Sequence, residues 1–219
     1  MYALLGKVSL ARPEGKDAPL PTALLEEVKA EAARADREIT DLDERQAVIT
    51  LTGAVLARAG LLDESDALLK AELARSHSPY YYMSQLASNA KKRGTPEGKA
   101  AAIDWSKQAY DRATGTSTRL RWGGSYVNTL LELAPKDVAR IEQATGQVLG
   151  EVKPDAVQLT GNNRAALERI SKRVVAWNKD GSHDDVLARL SGSLKDKCGS
   201  PSAVDRNWCE SLFAPAKRA

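Results

Sequence analysis

Two glycines 34 residues apart, Gly60 and Gly94, constrain the fold of this chain more than any other feature of its sequence. Each follows a segment with helical spacing of apolar residues and comes just before another, so each marks a helix C-terminus. Seven residues before each glycine stands a small residue, Gly53 or Ala87, which lets two helices approach closely. This spacing predicts helix pairs that stack on one another.

The 34-residue spacing resembles the period of tetratricopeptide repeats. A third unit, residues 117–149, keeps the helix pair but has Ala134-Pro135 in place of the glycine. We therefore predict an all-α fold, in which antiparallel helix pairs stack as a tetratricopeptide-like α-solenoid.

Caps, glycines and prolines divide the chain into about ten helices. The predicted ranges are 22–39, 44–59, 63–76, 79–94, 96–114, 117–133, 135–150, 162–179, 182–198 and a short helix from 201. Residues 1–19 are predicted to be an N-terminal extension or linker, residues 20–152 the repeats, and residues 153–219 a C-terminal helical cap.

Charge and hydropathy limit which classes of function the sequence supports. The net charge is only +3, and the charges are interleaved, which is weak support for a nucleic-acid partner. No apolar run approaches the ~18 residues that a membrane span needs, so none is predicted. Residues 1–6 lack the features of a signal peptide, and their start in mid-pattern without an N-cap favours a fragment of a longer protein.

No catalytic motif occurs in the sequence: it has no Cys-x-x-Cys, His-Glu-x-x-His, phosphate-binding glycine loop or Gly-x-Ser-x-Gly. Its two histidines, His77 and His183, fall at predicted helix edges without a nearby cysteine or acid cluster. We predict no catalytic residue, no metal site and no cofactor.

A peptide-binding surface is the functional prediction. In such repeats the first helix of each pair lines the concave face, and amides, hydroxyls and cations there suit a peptide backbone or a carboxylate. Seven of the eleven aromatic residues also fall between residues 80 and 126. The candidate partner-binding residues are Arg58, Tyr81, Ser84, Ser88, Asn89, Lys92, Arg119, Trp122, Ser125 and Asn128. The alternative is a solvated polar face with ordinary aromatic packing between helices.

The predicted helix 162–179 is strongly basic. Its basic residues are Arg164, Arg169, Lys172, Arg173 and Lys179, against the single acid Glu168. This helix could present a docking face for anions, or it could simply have one soluble side while Leu167, Ile170 and Val174 are buried. Nucleic-acid binding through it is the least favoured hypothesis.

The two cysteines, Cys198 and Cys209, form a local pair. Such a pair fits a disulfide that joins the last two helices, and the alternative is two unlinked thiols in a reducing compartment. Cys198 is predicted at a helix C-terminus, where the helix dipole raises a thiol pKa, so a structural role is favoured over a redox-active one.

Several strings resemble a known family. They are residues 60–73, running into Ser76-His77-Ser78-Pro79-Tyr80-Tyr81, then Asp104-Trp105 with Ala109-Tyr110, residues 118–123, and Ala176-Trp177-Asn178. Together they resemble the helical C-terminal region of certain bacterial thioredoxin family proteins, over roughly residues 20–213. The resemblance implies an exported, periplasmic parent with thiol–disulfide chemistry, whose thioredoxin-fold domain is a possible partner. Because Cys-x-x-Cys is missing here, no catalytic position is carried over.

Overall fold

Every secondary-structure element that the computed structural model describes is a helix. The description covers residues 1–12, 19–152, 160–195, 197–198 and 203–215, with the side chains of 203–205 excepted. The described residues form eleven α-helices. They are α1 (Tyr2–Ala11), α2 (Thr22–Glu38), α3 (Leu42–Arg58), α4 (Leu62–Glu72), α5 (Tyr80–Lys92), α6 (Pro96–Arg112), α7 (Thr116–Leu133), α8 (Val138–Gly150), α9 (Gly161–Trp177), α10 (Asp184–Lys195) and α11 (Ala203–Ser211). The prediction of an all-α fold built from neighbouring helix pairs is confirmed.

The chain divides into two compact units, residues 1–108 and 109–219, with the division inside α6. The boundaries predicted from the sequence lie elsewhere, after residues 19 and 152. Residue 152 lies inside the second unit, where α8 and α10, on either side of it, pack against each other. Arg189 of α10 forms an ion pair with Glu142 of α8 at 2.6 Å.

The first unit begins with a helix where an extension or linker was predicted. Leu4 and Val8 of α1 are buried in one cluster with Val28 of α2 and Val55 of α3. The sequence signal for α1 is weak because this short helix has no side-chain N-cap and buries only those two residues. The prediction for residues 1–19 is therefore corrected for residues 2–11, while residues 13–18 lie outside the described part of the chain.

Gly60 and Gly94 end their helices as predicted. Both have positive φ, 92° and 69°, the left-handed backbone that glycine adopts without steric cost. After α3 the N–H of Leu61 donates to the Leu56 carbonyl at 2.9 Å, which is the six-to-one bond of a Schellman cap. These caps let the chain reverse direction between the helices of each pair.

Small residues set the distance between paired helices. A Cβ built on Gly53 of α3 would be 2.8 Å from Cδ2 of Leu69 on α4. In the second unit, a Cβ on Gly123 of α7 would be 2.4 Å from Cγ2 of Val148 on α8. The predicted role of Gly53 is thus present, and Gly123 plays the same part in the later pair, which the sequence analysis did not foresee.

A buried ion pair ties three helices of the first unit together. Arg45 of α3 donates to both carboxylate oxygens of Glu72 on α4, at 3.0 and 2.7 Å. It also donates to Asp36 of α2 at 2.6 Å. The side chains of Arg45 and Glu72 are only 5% and 2% exposed, so each charge depends on its partner in place of water.

Stacking in the second unit continues past the predicted repeats. The helix α9 packs beside α7, and α10 packs beside α8. Helices α9 and α10 of the predicted C-terminal helical cap thus pack on α7 and α8, respectively. The short α11 packs on α10, and the chain just after it returns to α9, where the N–H of Phe213 donates to Oγ of Ser171 at 2.9 Å.

Candidate binding groove

A basic depression lies between α7 and α9 in the second unit. Its volume is about 290 Å³. The wall on α7 consists of Leu120, Arg121, Gly124, Ser125 and Asn128, and the wall on α9 consists of Ala166, Arg169, Ile170 and Arg173. We call this site the α7–α9 groove. Its α7 wall belongs to the predicted partner-binding surface, and its α9 wall belongs to the basic helix that was predicted separately.

Gly124 allows the two walls to approach each other. A Cβ on this residue would be 3.1 Å from Cγ1 of Ile170, tighter than most real contacts. The buried Leu120 and Ile170 supply an apolar floor beneath polar rims. A floor of this kind with a few fixed polar groups is typical of ligand sites.

The polar rim is bridged at one end. Arg173 of α9 donates a hydrogen bond from Nη1 to Oδ1 of Asn128 on α7. At the other end, the guanidinium of Arg121 lies 5.0 Å from the centre of the Trp122 ring, a cation–π contact. These contacts restrain the side chains before any ligand arrives, which lowers the entropic cost of binding.

The electrostatic field of the groove is positive. Three of its nine lining residues are arginines and none is acidic. Together α7 and α9 carry six basic residues and two acidic ones, Glu132 and Glu168. Glu168 bonds instead to Arg164 and to the indole N–H of Trp208, at 3.2 and 2.8 Å, and Glu132 lies one turn beyond Asn128. The groove therefore favours an anionic ligand.

Of the predicted partner-binding residues, Ser125 and Asn128 line the groove. Ser88 and Lys92 are exposed on α5, and Tyr81 and Ser84 are half-buried. Arg58 donates to the Arg12 carbonyl at 2.6 Å. Arg58, Tyr81, Ser84, Ser88 and Lys92 belong to the first unit, and Ser125 and Asn128 belong to the second.

Asn89 and Trp122 are not surface residues, which corrects two of the predictions. Asn89 is fully buried, and its side-chain N–H groups donate to Oγ of Ser65 and Oδ1 of Asp66, both at 2.8 Å. Ser65 in turn donates to the Gly53 carbonyl at 2.8 Å. Asn89 therefore joins α5 to the α3–α4 pair. Trp122 is 5% exposed because its ring faces the interior of the second unit.

Arg119 has a structural position as well. It pairs with Glu151 at 2.8 Å, and its guanidinium lies 4.6 Å from the centre of the Tyr110 ring. The hydrogen bond from Arg119 lowers the pKa of the Glu151 carboxyl. Burial raises the pKa of the Tyr110 hydroxyl to about 12, helped by the hydrogen bond that it donates to Glu151 at 2.7 Å. This cluster holds the end of α6 to the end of α8.

The structure pairs Cys198 and Cys209. Their Cα atoms lie 5.7 Å apart, within the range that a disulfide spans. Both residues are buried, at 1% and 0% exposure, between the end of α10 and α11. The predicted staple is compatible with this geometry.

Two further observations bear on the class of site. Within the described ranges, no group of three or more His, Cys, Asp and Glu side chains is placed to hold a metal ion. None of the described helices is long and apolar enough to cross a membrane.

The groove as a unit was not predicted from the sequence. The basic residues of α9 and the polar residues of α7 were considered separately, because 52 positions separate Arg121 from Arg173 in the chain. Only the packing of α9 on α7 brings them together. The available signal was the glycine at 124, which permits that packing.

Comparison with protein families, with curated proteins and with solved structures gives no match for this chain.

Proposed function

We propose that this chain is a non-catalytic helical-repeat module that binds a peptide segment of another protein. The observation that carries the proposal is the α7–α9 groove, which combines an apolar floor with a rim of guanidinium, hydroxyl and amide groups. Such a set matches the carbonyls, amides and charged side chains of an extended peptide. None of the lining residues is a nucleophile activated by a base, so binding is the activity that the groove supports.

We propose the same context that the family resemblance implies. In this proposal the chain is the accessory region of an exported thioredoxin-fold protein, and the thioredoxin-fold domain of the parent is one candidate partner. The paired Cys198 and Cys209 support the proposal to the extent that a disulfide persists in an oxidising compartment.

The alternative is participation in thiol–disulfide exchange through Cys198 and Cys209. A relay needs a sulfur that an attacking thiolate can reach, whereas both sulfurs belong to buried residues. Burial therefore favours a structural staple. A reduction potential far below those of working oxidoreductases would agree with the staple, and one near theirs would revive the relay.

The test of peptide binding uses the whole chain on an array of capped eight-residue peptides of varied composition. Ser125→Trp fills the groove from its exposed rim, and Gln143→Trp places the same bulk on the exposed side of α8 as a control. We expect the wild type and Gln143→Trp to retain the same subset of peptides and Ser125→Trp to lose it. Equal retention by all three proteins would remove the groove as the binding site.

A further inference from the structure

The arginines of the α7–α9 groove follow a regular spacing. Arg169 and Arg173 are four residues apart on α9, which places them on one face and about 6 Å apart along the helix axis. Arg121 stands on the opposite wall, three residues before Gly124, the residue that contacts Ile170. Gly124 faces Ile170 and, one turn further along both helices, Asn128 contacts Arg173, so the two helices run in the same direction. The three guanidiniums thus follow the groove over about two helical turns.

An extended peptide has a matching repeat. Its alternate side chains point to the same face and lie about 6.6 Å apart, whereas adjacent side chains point to opposite faces. Carboxylates at positions i and i+2 would therefore both face Arg169 and Arg173, while those at i and i+1 would not. A helical ligand would not enter the groove. With its side chains it is about 10 Å wide, as wide as the distance between the axes of two packed helices, so it would rest on the rim.

We propose that the α7–α9 groove binds an extended acidic segment in which two carboxylate side chains alternate with another residue, Asp/Glu–x–Asp/Glu. The two carboxylates accept hydrogen bonds from Arg169 and Arg173, and Arg121 supplies the third positive charge from the facing wall. Ser125 and Asn128 are left to contact the peptide backbone. This inference rests on the proposed function and specifies its ligand.

Charge complementarity is the main argument for this occupant. The lining holds three arginines and no acidic residue, so a neutral segment would displace water from guanidinium groups without bringing a carboxylate to them. Guanidinium–carboxylate hydrogen bonds are the stronger, charge-assisted kind, and the fork of an arginine can hold both oxygens of one carboxylate. Two carboxylates at the right spacing satisfy both arginines of α9 at once.

The experiment is calorimetric titration with capped pentapeptides, which are too short to form a stable helix. The reference peptide is acetyl-Gly-Glu-Ser-Glu-Gly-amide. One comparison peptide has both glutamates replaced by glutamine, and another has them adjacent, as in Gly-Ser-Glu-Glu-Gly. The protein variants are Arg169→Gln and Arg173→Gln, with Lys172→Gln as the matched control, because Lys172 is exposed on the same helix and does not line the groove.

We expect the reference peptide to bind at least tenfold more tightly than the glutamine peptide and several-fold more tightly than the adjacent-glutamate peptide. Arg169→Gln and Arg173→Gln should each raise the dissociation constant of the reference peptide about tenfold, the equivalent of losing one charge-assisted hydrogen bond. Lys172→Gln should change that dissociation constant by less than twofold. The peptide substitutions keep the result interpretable even if a protein variant unfolds.

Three outcomes would overturn the inference: equal binding of the adjacent and alternating peptides, an effect of Lys172→Gln as large as that of Arg169→Gln, or tighter binding of a single-stranded oligonucleotide at the same ionic strength. If neutral peptides bind as well as acidic ones and Ser125→Trp abolishes both, the ligand class is wrong but the peptide-binding function stands. If no peptide on the array or in solution binds, the proposed function itself fails.

Discussion

Arg173 of α9 donates a hydrogen bond to the side-chain carbonyl of Asn128 on α7, which joins the two walls of the groove across 45 residues of sequence. Asn128 was a predicted partner-binding residue, and Arg173 belonged to the basic helix that was considered separately. Their contact makes one site from two sequence features. It also means that a ligand carboxylate at Arg173 would compete with, or extend, an existing hydrogen bond.

Gly123 tests how closely paired helices must pack. Gly123→Ala would place a Cβ 2.4 Å from Val148 and 3.2 Å from the Tyr110 ring, both buried. We expect overpacking to lower the free energy of unfolding by about 1–3 kcal/mol, which exceeds the gain of alanine in helix propensity. The measurement is urea denaturation followed by circular dichroism.

Gly146 is the matched control for that substitution. It lies inside α8, and a Cβ there meets no atom within 4 Å. Gly146→Ala should therefore raise the free energy of unfolding by about 0.5–1 kcal/mol. If Gly123→Ala raised the free energy of unfolding to the same degree, close packing of α7 and α8 would not explain why position 123 is a glycine.

The Arg45–Glu72 pair predicts acid sensitivity of the first unit. Burial alone would raise the pKa of Glu72, but the hydrogen bonds from Arg45 and Arg75 outweigh it, and the net shift is downward. A lowered folded-state pKa contributes stability above the unfolded-state value of about 4.5, and this contribution is lost as the pH falls through the folded-state pKa.

Glu72→Gln measures that contribution. At pH 7 it should lower the free energy of unfolding by about 3–5 kcal/mol, because the buried Arg45 loses its carboxylate. Below pH 4 the difference from the wild type should shrink. Glu64→Gln, at an exposed position on the same helix, should cost under about 0.5 kcal/mol. A pH-independent loss for Glu72→Gln would indicate that packing, not charge, is what the residue provides.

Two tyrosines predict alkaline sensitivity. Burial raises the pKa of Tyr82 and of Tyr110 to about 12, against the ordinary value of 10.0. Between these values the unfolded chain has lost its phenolic protons and the folded chain keeps them, so the free energy of unfolding falls as the pH rises. The double variant Tyr82→Phe, Tyr110→Phe should show a shallower fall between pH 9.5 and 11.5 in urea titrations. An unchanged slope would mean that these hydroxyls ionise normally.

The pair Cys198 and Cys209 predicts a stability effect of reduction. The two residues are 11 positions apart, for which loop entropy gives about 3 kcal/mol. Cys198→Ser with Cys209→Ser should lower the free energy of unfolding of the oxidised protein by about this amount and remove the effect of dithiothreitol. If reduction leaves the stability of the wild type unchanged, the pair is not a structural staple.

Much of the fold could be predicted because its signals are local. Gly60 and Gly94 adopt left-handed backbone without steric cost, and their 34-residue spacing predicted the helix pairs. Local caps, glycines and prolines predicted most helix boundaries to within a few residues. The third pair was found despite its missing glycine, because Pro135 opens the loop before α8. By contrast, α1 has no cap signal, and its burial depends on Val28 and Val55, far along the chain.

The site residues were harder to predict because helix rotation decides exposure. Asn89 is polar and was assigned to the surface, yet its partner Ser65 lies 24 residues earlier and makes burial favourable. Arg119 and Arg121 are two arginines of the same helix, and nothing in the sequence distinguishes them. Only Arg121 lines the groove, whereas Arg119 pairs with Glu151. The periodicity of a helix does not reveal which residues of neighbouring helices each of its arginines will contact.

The most direct test of a binding groove between α7 and α9 is a backbone amide NMR titration of the whole chain with the capped reference pentapeptide. We predict that the largest shift changes cluster at Gly124, Asn128, Ile170 and Arg173, and that Ser125→Trp suppresses them. Changes that spread evenly over the chain, or that cluster on residues outside both groove walls, would contradict the account.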